Sequence, residues 1–190
     1  MYRTTDNGNS WKPRGEGLRA DYVPPDIAGE PDQQDPHRIA QCAADPDYWW
    51  MQHHNGIWRS SDDCATWQEI MEVQPSTFGF ALAVHPTDGN TAWFVPSLGS
   101  ESRYPVGAKM VVNRTVDGGG SFMQLKNGLP QEDAYDLVYR HCLEICPSGD
   151  MLVMGSTSGN LWFSNDAGDH WEIVSRHLPP ILCLRYVEFM

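Results

Sequence analysis

Four copies of one eight-residue pattern punctuate this chain, and few folds accept such a repeat. Thr4 to Trp11, Ser60 to Trp67, Thr115 to Phe122 and Ser164 to Trp171 each follow Ser/Thr-x-Asp-x-Gly-x-Ser/Thr-Trp. Cys64 stands for Gly, Phe122 for Trp and His170 for Ser/Thr. An Asp two residues past a hydroxyl is placed to accept backbone N–H groups of its own turn, which a tight reversal otherwise leaves unpaired. Gly supplies the positive φ that a side chain resists, and the closing aromatic starts the next strand by burying its ring. Asp6, Asp62, Asp117 and Asp166, with Trp11, Trp67, Phe122 and Trp171, are therefore expected to fold hairpins and not to catalyse. Arg3, Arg59 and Arg114 precede three of the copies and inherit the same structural expectation.

The closing aromatics stand at positions 11, 67, 122 and 171, hence 56, 55 and 49 residues apart. A period of that size points to propeller blades of four antiparallel strands. Pro/Asp/Gly turns at Pro46, Pro86 and Pro147 keep time with the repeat, each between two apolar runs. Alternation places one blade in residues 37–72, a second in 78–126 and a third in 136–175. Residues 1–12 read as the end of another blade and 182–189 as the first strand of a further one. The fold class is all-β: a single, partial propeller spanning 1–190, with Leu98 to Lys109 inserted in the second blade. Three blades do not close a ring, so the chain reads as the C-terminal part of a longer protein. If instead it is a whole protein, self-association would cover its open edges.

Composition narrows the partners. A formal net charge of −12, from 13 Lys+Arg against 25 Asp+Glu, argues against nucleic acid, because phosphate binding needs clustered cations. No apolar run approaches a membrane span and none reads as a signal peptide. Five cysteines without a CxxC spacing look like free core thiols, Cys42, Cys142 and Cys183 on first strands of blades, which favours a reducing cytoplasm.

The repeat is the signature of the Asp-box, and the chain resembles the sialidase-like, glycosyl hydrolase Asp-box (BNR) repeat β-propeller proteins. Asn55-Gly56-Ile57-Trp58-Arg59-Ser60, Gly128-Leu129-Pro130-Gln131, Gly155 to Trp162 and Leu178-Pro179-Pro180 carry the likeness over essentially the whole chain. The resemblance implies a search for arginines gripping a carboxylate, and for a Tyr nucleophile beside a Glu. Arg14, Arg19, Arg38, Arg103, Arg140 and Arg176 lie outside the boxes, and Tyr104 with Glu101 or Tyr135 with Glu132 could form the pair. Arg38-Ile39-Ala40 departs at its last position from the Arg-Ile-Pro element of many sialidases. Such repeats also occur in sortilin-type receptors and photosystem assembly factors, which bind peptides or proteins.

If the boxes join third to fourth strands, the opposite face carries the second turns, the inter-blade links and the insertion. That face gathers the ligand-binding candidates His53, His54, Arg103, Tyr104, Tyr135 and Arg140. Paired-carboxylate hydrolysis, as in propeller glycosidases, needs an acid and a base about 5–10 Å apart; Glu132, Asp133 and Asp136 are the catalytic candidates. His53, His54, His141 and His177 could converge on a metal, but adjacent strand residues point to opposite faces, so no metal site is assigned. No cofactor is called for. The expected function is a glycan- or protein-binding scaffold, the alternative a glycoside hydrolase with part of its site outside this chain.

Overall fold

A computed structural model describes residues 1–187. Strands β1 (Tyr2–Arg3) and β2 (Lys12–Pro13) pair antiparallel around the first Asp turn. Three four-stranded antiparallel meanders follow. The first blade is β3 (Pro36–Gln41), β4 (Trp49–His53), β5 (Ile57–Ser60) and β6 (Gln68–Ile70). The second is β7 (Gly79–Val84), β8 (Ala92–Pro96), β9 (Val112–Thr115) and β10 (Met123–Leu125), and the third β11 (Leu143–Ile145), β12 (Leu152–Gly155), β13 (Leu161–Ser164) and β14 (Glu172–Ser175). Inner strands β3, β7 and β11 pack on one another, so the blades fan from a common axis as in an arc of a propeller.

The carboxylates of the Asp turns bond as their chemistry predicts, but of the closing aromatics only Trp67 and Trp171 are buried, Phe122 being partly buried and Trp11 59% exposed. Asp117 Oδ1 accepts the Ser121 N–H at 2.9 Å and the Thr115 hydroxyl at 2.9 Å, while Thr115 Oγ1 accepts the Gly119 N–H. Asp6, Asp62 and Asp166 repeat this geometry; Asp166 keeps the Ser164 hydroxyl at 2.8 Å but lacks the second hydroxyl that Ser10, Thr66 and Ser121 donate to Oδ2 in the other turns, because His170 occupies that place. The turn conformation is real even where Gly is missing, since Cys64 holds φ 64°.

Arginines before the turns stitch each blade to the next. Arg3 reaches Asp63, Arg59 donates to Asn90 Oδ1 at 2.6 Å, and Arg114 pairs with Asp169 and donates to the Ala167 carbonyl. Indoles do the same from second strands: Trp50 Nε1 donates to the Gly89 carbonyl and Trp93 Nε1 to that of Ala167. Between the blades lie two apolar clusters, one around Trp50, Leu82 and Phe94, the other around Trp93, Leu143, Trp162 and Trp171.

Two boundaries differ from the sequence reading. The third blade, expected from residue 136, has an inner strand that begins only at Leu143, because Cys142 N–H turns back onto the Tyr139 carbonyl and the Leu137 carbonyl accepts the Thr157 N–H instead. Within 182–189, Cys183 makes a parallel bridge to His141 and no longer strand forms among the described residues; Glu188 and Phe189 lie outside them. Parallel neighbouring is what an adjacent inner strand would show, yet Cys183 is exposed, since no described strand covers it. All five cysteines are free. No helix of the described residues is long and apolar enough to cross a membrane.

Candidate functional site

Two of the inner strands, β3 and β7, carry one irregularity of register near their start. β3 pairs Pro36 with His53 and then Arg38 with Gln52, leaving His37 as the extra residue of a bulge. In β7 the register likewise shifts between Gly79 and Leu82, around Phe80. Bulges bend a strand and re-aim a side chain. Here the two re-aimed rings meet: His37 stacks on Phe80 with centroids 4.4 Å apart and an interplanar angle of 13°.

Around this stack the face assembles. Arg103, from the insertion, and Arg140, from the link before β11, place their guanidinium carbons 5.4 and 5.3 Å from the centre of the Phe80 ring. Tyr139 meets the same ring edge-on at 5.4 Å. Tyr104 lies against Tyr135, centroids 5.6 Å apart, and Tyr135 is 63% exposed. The insertion and the link are laced together by Ala134 N–H on the Ala108 carbonyl and Met110 N–H on that of Pro130. Thus Arg103, Arg140 and, through His37, His54 converge on Phe80, with the Tyr104–Tyr135 pair carried by the same two segments.

His53 and His54 part company, as strand geometry requires. His53 is fully buried, and the Asp35 N–H donates to its Nε2 at 3.0 Å. Burial holds its pKa down at about 4. Half-exposed His54 turns the other way, its Nδ1 3.4 Å from Asp35 Oδ2, and meets the edges of Tyr22, His37 and Phe78. Burial also lowers the His37 pKa, against the opposing pull of the Gly79 carbonyl that its Nδ1 faces at 2.6 Å.

The three acids proposed from sequence take different surroundings. Asp136 is buried, and its Oδ1 accepts from Ser156 Oγ at 2.7 Å, Asn160 Nδ2 at 2.7 Å and Ser158 Oγ. That is a fastening of the link to the β12–β13 turn. Asp133 and Asp136 border a separate cleft of about 470 Å³ with Trp162, Ile173 and Arg176, while Glu132 is exposed outside its lining.

Sequence reasoning missed His37, Phe80 and Asp35. The first two sit on bulges that alternation does not reveal. A signal for Asp35 and His37 existed in Asp35-Pro36-His37 opposite His53-His54 across a hairpin.

No protein-family model matches the chain, and no curated protein matches it. Solved structures do. An ancestral GH74 enzyme superposes with a TM-score of 0.65 at 16% identity, over 92% of this chain and 21% of that one. The GH74 enzyme of Niastella koreensis gives 0.56 at 15% identity, over 77% of this chain and 22% of its own. YCF48 bound to D1 peptide gives 0.50 at 17%, over 74% and 40%. The likeness is one of fold, a β-propeller of antiparallel blades, and the chain spans about a fifth of the two GH74 chains.

Proposed function

We propose that this chain is part of an Asp-box propeller scaffold whose bulged, inner-strand face binds a glycan or a protein segment. The observation that carries this reading is the pair of arginines, Arg103 and Arg140, brought to one ring from separate segments. Neither has a carboxylate partner within ion-pair distance among the described residues. Guanidinium forks suit carboxylate or hydroxyl-rich groups, and exposed Tyr135 adds a stacking surface. Both ligand classes have precedent in the fold: one similar structure is a GH74 xyloglucanase from Xanthomonas campestris, and the YCF48 structure holds a peptide.

A glycoside hydrolase whose catalytic set lies partly outside this chain is the second reading, favoured by the GH74 likeness in fold. Affinity electrophoresis through a panel of polysaccharides, a peptide array and a reducing-end assay separate the two. The scaffold reading expects retention of a glycan or peptide, weakened in Arg103→Ala with Arg140→Ala, and no new reducing ends. Release of reducing ends that disappears in Glu132→Gln with Asp133→Asn would replace it with the hydrolase.

A further inference from the structure

We propose that Asp35, His37 and His54 form a binding site for a zinc-class divalent cation at the edge of this face. A carboxylate oxygen of Asp35, one nitrogen of His37 and one of His54 all lie within 4.8 Å of one another. His37 Nε2 is 3.8 Å and His54 Nδ1 is 3.4 Å from Asp35 Oδ2. Ligand atoms of a tetrahedral zinc, with bonds of about 2.0–2.1 Å, stand about 3.4 Å apart, so small side-chain rotations complete the set.

The surroundings favour a cation over a simple ion pair. His37 Nδ1 donates to the Gly79 carbonyl at 2.6 Å, which fixes the tautomer and leaves the Nε2 lone pair toward Asp35. A second nitrogen fastened to a carbonyl is the usual support of a metal-bound imidazole. The His37 side chain is only 3% exposed and is locked against Phe80. Asp35 is pinned from both sides, its N–H on His53 Nε2 and its carbonyl accepting the His54 N–H at 3.0 Å. Tyr22 and Phe78 close the shell with ring edges. Two imidazoles and one carboxylate suit zinc, cobalt, nickel or copper better than magnesium or calcium, which take oxygen ligands. Three protein ligands leave a coordination position open for water or a ligand oxygen.

Cobalt(II) titration of the full chain tests this, in a Cys183→Ser background so that the exposed thiol cannot bind. The expected result is a visible d–d band that saturates at one equivalent, is displaced by zinc, and accompanies a rise in melting temperature. Asp35→Asn and His54→Gln, both at exposed or half-exposed positions, should each weaken binding by about tenfold or more. His141→Gln with His177→Gln should leave it unchanged. A band that needs several equivalents, or persists undiminished in Asp35→Asn and His54→Gln, would overturn the site.

Discussion

Gly128 and the carbonyl oxygen of Trp171 occupy adjoining space so closely that a Cβ on Gly128 would overlap that oxygen. The link after the second blade thereby lies on the box aromatic of the third, and Trp171 N–H donates to the Asn127 carbonyl at 2.9 Å. Gly17 and Trp67 repeat the relationship two blades earlier, with Trp67 N–H on the Glu16 carbonyl. Leu18 and Leu129, which follow the two glycines, are both buried. Gly-Leu in a link and Trp in the next Asp turn are two halves of one joint.

Gly128→Ala is therefore expected to cost well over about 1 kcal/mol, because it combines a positive φ of 82° with backbone overlap. Gly107→Ala, at φ 63° but facing open space, carries only the conformational part. Urea unfolding of both variants checks the difference. Equal midpoints would show that the joint adds nothing.

Asp136→Asn should lower stability by about 1–3 kcal/mol, since an amide cannot accept all three donors now on the carboxylate without presenting its own N–H₂ among them. Glu132→Gln and Asp133→Asn, on exposed side chains, should stay within about 0.5 kcal/mol. Thermal melts of the three variants decide it; the opposite ranking would return Asp136 to the list of free carboxylates.

Acid should loosen the Asp turns in a defined window. Hydrogen bonds from Ser10 and Ser121 hold Asp6 and Asp117 at about 2, below the ordinary value of 3.8. A carboxyl depressed on folding gives stability that is complete above its unfolded value and is lost as pH falls through the folded one. Melting temperature should thus drop between about pH 4 and pH 2, and drop less steeply in Asp117→Asn. A variant that tracks the parent protein throughout this range would deny the turn its ionic character.

Arg114→Ala should destabilise by about 1–2 kcal/mol through loss of the hydrogen bond to Ala167 and the pairing with Asp169. Arg103→Ala, on an exposed insertion, should leave the melting temperature unchanged while reducing ligand retention. Side-by-side melts and affinity electrophoresis separate the stitch from the grip.

How much of this could be read beforehand follows the range of the interaction. Asp117 clamps residues four positions away, so the turn is written in one short window, and the blades follow from its repetition. The Arg59 stitch crosses 31 residues and the Arg38 bond to the Arg140 carbonyl crosses 102, and no local pattern encodes either. Arg103 and Arg140 were readable as candidates by exclusion from the boxes, but their shared ring was not, because Phe80 reaches the face through a bulge. Asp136 misled for the same reason: three acids in five residues look alike until the Ser156 to Asn160 turn folds onto one of them.

Hydrogen exchange with and without a glycan or peptide that the chain retains addresses the ligand face most directly. Slowed exchange is expected in the insertion around 98–109, the link around 133–140 and the turn at 53–56, with the four Asp turns unchanged. Slowing at the Asp turns, with none in those three segments, would place the ligand on the opposite face and refute the assignment.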